Sequence, residues 1–174
     1  MYLVLLYLNM FNFNLTKKYE NVIKLILSLA LPFIVGAIGS MFTVSSIASW
    51  YDFLNKPWFT PPGWVFGPAW SLLYILIGIS FYLIWKRGIK TAQAKIAVGI
   101  FSLQIFFNGL WSILFFGLQS PILGLINILV LWLLILINII QFYKLDKRAG
   151  LLLIPYICWV TFATLLNYFV WILN

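Results

Sequence analysis

The chain has 174 residues, 64% of them hydrophobic and only 8% charged, with a formal charge of +8. A water-soluble domain has about a quarter charged residues, so a soluble fold is excluded. Apolar runs longer than the roughly 20 residues that cross a bilayer recur along the sequence, which makes this a multi-pass membrane protein.

There is no histidine, and Cys158 is the single cysteine. That excludes an intrachain disulfide, axial histidine ligation of a haem iron, and metal sites built from His or Cys. No metal, covalent cofactor or nucleic-acid partner is expected. The bases lie in short clusters between apolar runs, where they set topology.

In chain order, residues 1–21 read as an N-terminal extension, interfacial or disordered, and 22–174 as a single membrane domain. The apolar stretch 2–8 is too short to span. No basic region precedes it and no cleavage site follows, so it is a poor signal peptide; an interfacial segment or a start at Met10 is the expected reading. Span one covers 25–47 and contains Pro32, which should kink it or remove one backbone hydrogen bond. Gly36 and Ser40 form a small-xxx-small pair suited to close helix contact. A loop at 49–63 follows, then span two at 64–85 and span three at 96–118. Ser120-Pro121 reads as N-cap and first position of span four, which runs 122–142. Span five covers 151–173. The runs are continuous rather than alternating, which selects helices over barrel strands. The fold class is therefore all-α integral membrane, a bundle of five transmembrane helices. No internal repeat supports an inverted-repeat transporter.

Lys17, Lys18 and Lys24, then Lys86, Arg87, Lys90 and Lys95, then Lys144, Lys147 and Arg148 all fall on one side of such a bundle. Lys56 stands alone on the other. The positive-inside rule puts the N-terminus in the cytoplasm and the C-terminus outside, in a prokaryotic plasma membrane; a reversed orientation in an organellar membrane is the alternative.

No Asp, Glu, Lys or Arg lies deep in any span, which argues against ion-coupled transport. The polar groups there are amides. Gln104, Asn108, Trp111 and Phe115 share one face of span three; Asn127, Leu131, Leu134 and Asn138 share one of span four; Tyr156, Trp159, Ala163 and Asn167 share one of span five. Lipid gives an amide no partner, so these stripes should face protein or a cavity. Interhelical hydrogen bonding is the structural reading of each amide. Flat rings beside a few amides also suit a pocket for a large ring ligand. Trp70, Trp111 and Trp159 lie inside spans and are candidate pocket walls. Trp50, Trp85 and Trp171 lie near span ends, where interfacial anchoring is ordinary.

The pattern W-Y-x-x-L-x-K-P-x-x-x-P-P-x-W-x-F-G-P-x-W-x-x-L-Y, from Trp50 to Tyr74, resembles the TspO/MBR family of tryptophan-rich sensory proteins and translocator proteins. Asn108-x-x-Trp111 followed by Phe115-Phe116 is similar to its third helix. The run from Pro155 through Tyr156, Trp159, Phe162-Ala163-Thr164 and Asn167-Tyr168 to Trp171 is similar to its fifth.

The resemblance implies a five-helix bundle, commonly a homodimer, with a ligand pocket under the first loop. It implies ligands of the porphyrin and haem-related tetrapyrrole class, with sterol and benzodiazepine-type ligands in animal members. Pocket contacts are then expected among Trp50, Trp58, Phe59, Trp70, Tyr74, Asn108, Trp111, Trp159, Phe162, Ala163 and Asn167. Some bacterial members degrade protoporphyrin in light, and the tryptophans implicated there match Trp70 and Trp159. Two departures bear on this. Trp58 and Phe59 stand in the opposite order from the usual motif, so either ring is a candidate to face the ligand. No base follows Tyr168, which weakens a sterol reading.

The expected function is a receptor or passive carrier for hydrophobic ring ligands. Light- and oxygen-dependent porphyrin breakdown is the enzymatic alternative, and a structural or regulatory membrane protein is the third reading.

Overall fold

The computed structural model describes the backbone of residues 2–174 and the side chains of residues 17–174. The side chains of residues 1–16 lie outside the described residues, and the backbone from Tyr2 is part of the first helix. The chain is 86% helical without strands among the described residues. The helices are α1 (Tyr2–Ile47), α2 (Phe66–Arg87), α3 (Ala92–Ser112), α4 (Pro121–Leu145), α5 (Lys147–Leu152) and α6 (Ile154–Leu173). Five segments are long and apolar enough to cross a membrane: Lys17–Ile47, Gly63–Arg87, Ala92–Gly117, Pro121–Leu145 and Lys147–Leu173.

The helix ends follow local chemistry. Ser120 accepts a hydrogen bond from the Leu123 N–H and Pro121 takes the first turn of α4, where its missing N–H costs nothing. Thr91 accepts from Ala94 at the start of α3, and Asp146 from Arg148 at the start of α5. Two segments differ from the continuous helices expected. The third span ends in a widened π turn over Ile113–Gly117, closed by Leu118 N–H to the Ile113 carbonyl at 2.8 Å. Phe115 and Phe116, adjacent in sequence, are both buried there. The fifth span breaks at Leu153, between α5 and α6. Pro155, in the first turn of α6, has no N–H to continue a single helix.

The helices form a ring in the order α2, α1, α3, α4, then α5 and α6, returning to α2. A central core joins Leu73, Ile77 and Ile84 of α2 to Phe101 and Ile105 of α3, Leu131 and Ile135 of α4, and Tyr156 and Val160 of α6. α1 contributes small residues instead, because apolar burial gives little drive inside lipid and close backbone approach gives dispersion. A Cβ on Gly78 would stand 2.8 Å from the Ser28 carbonyl oxygen of α1. That carbonyl is the one that loses its helical donor to Pro32. Gly36 lies directly against the Tyr74 ring of α2. Half of the Gly36/Ser40 pair is thus used within the chain, while Ser40 is exposed.

The ring closes unevenly. α2 packs extensively on α5 at the end that carries the basic clusters, but meets α6 at few points toward the loop end. The seam between α2 and α6 is where aromatic side chains converge.

Candidate functional site

The three stripes all face inward. Gln104, Asn108, Asn127, Asn138, Tyr156 and Asn167 are buried. Most of these amides bridge helices. Asn138 donates to Gln104 at 2.9 Å, Asn127 to the Phe107 carbonyl at 2.9 Å, and Asn108 to the Tyr156 hydroxyl at 2.9 Å. Asn167 works twice: its Oδ1 accepts from the Trp111 indole at 3.0 Å, and its Nδ2 donates to the Pro121 carbonyl at 2.7 Å. Trp111 also stacks on Phe115, with centroids 5.0 Å apart and planes within 17°. Trp50 meets Phe115 and Phe116 edge-on at 5.5 and 6.5 Å. Trp50, Trp111 and Asn167 thus belong to a packed cluster under the end of α1. For Trp50 this differs from the interfacial anchor expected of a residue at a span end.

A second aromatic group lines the α2/α6 seam. Trp159 sits between Phe66 of α2 at 6.0 Å and Phe162 at 5.8 Å. Trp70 leans on Tyr74 at 5.4 Å and meets Tyr156 at 6.3 Å, and Tyr74 reaches Phe33 of α1 at 5.6 Å. Ala163, half-buried, packs against the same core. The indole nitrogen of Trp159 is buried and has no hydrogen-bond partner. A buried Trp N–H nearly always finds an acceptor, and leaving one without costs about 1–3 kcal/mol.

The loop closes over this seam through Phe59, not Trp58. Phe59 packs on Phe162 at 6.4 Å and edge-on to Phe169 at 5.5 Å. Trp58 is 94% exposed and touches Phe59 alone among the rings. The inverted order of the two residues has a plain result: phenylalanine takes the inner place.

The first half of the loop is tied down. Its first turn is a short 3-10 helix over Tyr51–Phe53. Lys56 donates to the Asp52 backbone carbonyl at 3.2 Å and lies 4.7 Å over the Tyr51 ring. Its ammonium thus bonds the Asp52 backbone, not the Asp52 carboxylate four residues away. Farther along, the Asn55 N–H donates to Asn174 Oδ1 at 2.9 Å, and Asn174 Nδ2 returns to the Asn55 carbonyl at 3.0 Å. Asn55 Nδ2 adds a bond to the Leu173 carbonyl at 3.2 Å. This latch was not legible in the sequence, since its partners are 119 residues apart. Phe66 was also missed, although it is the phenylalanine of the W-x-F-G-P motif.

The basic end has different chemistry. Asp146, 4% exposed, takes an ion pair from Arg87 at 3.0 Å and longer contacts from Arg148 at 3.5 Å. Burial pushes its carboxyl up, but hydrogen bonds from Arg148 and the charges of Arg87 and Arg148 outweigh this and hold it below the ordinary carboxylate value. Two clefts open at this end. One of about 360 Å³ is lined by Lys17, Lys18, Asn21, Val22, Leu25 and Tyr82. The other, of about 440 Å³, lies between α2 and the α5/α6 break. Neither touches the aromatic seam.

Five apolar spans and an aromatic seam capped by a proline-stiffened loop define a multi-pass helical membrane protein. The TspO/MBR family profile matches residues 28–172. A tryptophan-rich protein TspO of Archaeoglobus fulgidus is 44% identical over 154 residues, covering 88% of this chain and 99% of that protein. One from Chlorobaculum tepidum is 38% identical, covering 89% and 98%. The human translocator protein is 36% identical, covering 77% and 80%. The chain belongs to the TspO/MBR family.

Proposed function

We propose that this protein is a membrane receptor or passive carrier that takes tetrapyrroles, or similar hydrophobic ring ligands, into the α2/α6 seam beneath the first loop. The observation that carries this reading is the unpartnered Trp159 indole N–H, buried among aromatic rings. A ring ligand bearing a carboxylate or carbonyl would supply the missing acceptor while its flat faces lie along Trp70, Phe66 and Phe162. The absence of charge deep in the spans favours passive handling. We further propose that the basic end faces the cytoplasm and that the protein works as a homodimer, in keeping with its family.

The test is titration of the purified protein with protoporphyrin while following tryptophan fluorescence. Saturable quenching at micromolar ligand is expected. Quenching that stays linear over that range overturns the reading.

The contiguous rings of Trp70, Tyr74 and Tyr156 favour a second reading, light- and oxygen-dependent porphyrin breakdown through oxidisable side chains. Loss of porphyrin under illumination that is unchanged in both Trp70→Phe and Trp159→Phe would remove it.

A further inference from the structure

We propose that the cleft between α2 and the α5/α6 break seats one anionic phospholipid, with an acyl chain along its floor and the phosphate at Arg148. The walls are Leu76 and Leu83 of α2, Leu151 and Leu152 of α5, and Pro155 of α6; Arg148 is the charged residue at its rim. Leu76 and Leu83 are seven residues apart on one helix, so the floor runs roughly 10 Å from the basic end toward the bilayer centre. The volume of about 440 Å³ exists because Pro155 interrupts the fifth span there, leaving a notch beside α2.

The charge at the rim is unbalanced. Asp146 is the one carboxylate there, and Arg87 and Arg148 share it. Arg87 holds it at 3.0 Å and also donates to the Leu145 carbonyl. Arg148 reaches it only at 3.5 Å, through Nε and Nη2, and its side chain is 74% exposed. A guanidinium has five donors in a planar fork, so most of this one remains free for phosphate oxygens. An apolar groove that ends in a guanidinium with free donors at the headgroup level is complementary to a lipid that joins an acyl chain to an anion.

Native mass spectrometry of the full chain in detergent tests this, with phosphatidylglycerol, phosphatidylcholine of the same chains, and inorganic phosphate as probes. One phosphatidylglycerol should be retained with about five-fold preference over phosphatidylcholine. Arg148→Gln should bring that preference close to unity; Asp146 keeps Arg87, so the fold should persist. Leu151→Trp leaves every charge in place and should reduce retention by crowding the groove. Equal retention of both lipids by the unaltered protein overturns the proposal. So does an undiminished preference in Arg148→Gln, full retention in Leu151→Trp, or displacement of the lipid by inorganic phosphate alone. These outcomes are independent of whether porphyrin binds in the seam.

Discussion

Trp111 and Trp159 are both half-buried indoles on inward-facing stripes, yet they sit in opposite situations. Trp111 has its acceptor in Asn167, a stacked ring in Phe115, and helices packed closely around it. Trp159 has rings on both sides and no acceptor, at the seam where α2 and α6 barely meet. The first region is satisfied and holds helices together. The second is left incomplete, which is the condition a binding site needs and a scaffold avoids.

The largest expected effect breaks the satisfied side. Asn167→Leu leaves the Trp111 N–H without its acceptor and strips the Pro121 carbonyl of its second donor, while that carbonyl keeps its helical one. It should cost about 1–3 kcal/mol for the N–H left unpaired, read as a lower melting temperature in detergent. A stability equal to the parent would mean that the Trp111 cluster is not the scaffold.

Trp159→Phe sharpens the contrast from the other side. It keeps an aromatic ring and removes an N–H that makes no bond in the protein. Stability should hold or rise, since an unpaired buried donor is removed, while protoporphyrin affinity falls roughly three- to ten-fold, the worth of one hydrogen bond. Fluorescence titration checks it, and an unchanged affinity would leave the orphan N–H without a role.

Loosening the loop with Pro61→Gly and Pro62→Gly acts next. Each change adds about 0.4–1 kcal/mol of unfolded-state freedom. Affinity should drop more than global stability, measured by titration and thermal melting side by side.

A control lies at the far end. Asp146 has a lowered carboxyl pKa in the folded chain. Its contribution is therefore fully present above the unfolded value of about 3.9 and is lost as pH falls through the lowered folded value. Melting temperature should decline with acid below about pH 4, and less steeply in Asp146→Asn.

The smallest effect belongs to Trp58. At 94% exposed it should tolerate Trp58→Ser within about 0.5 kcal/mol and with little change in porphyrin affinity. A large loss of binding there would relocate the lid contact from Phe59.

Much of the architecture was legible beforehand. The five spans followed from continuous apolar runs, and the Ser120-Pro121 start of α4 followed from the orphan N–H groups of a helix terminus. The inward direction of the amide stripes followed from the absence of partners in lipid. Other features were not legible. The π turn at Ile113–Gly117 shifts hydrogen bonds by one residue without any composition signal. The α5/α6 break had a sign in Pro155, but proline is tolerated in membrane helices often enough that it did not decide the matter.

The sequence by itself determined that this chain lives in a membrane as five helices with polar faces turned inward, because each segment must satisfy its own backbone and hide its amides from lipid. Only the tertiary structure decided which of those polar groups are used up. Asn55 meets Asn174, Asn138 Nδ2 meets Gln104 Oε1, and Trp111 meets Asn167, while the Trp159 N–H, like Gln104 Nε2 and Asn138 Oδ1, finds no hydrogen-bond partner. Those outcomes depend on how far apart neighbouring helices stand, and that distance is set by glycines, ring sizes and a single break in the fifth span acting together.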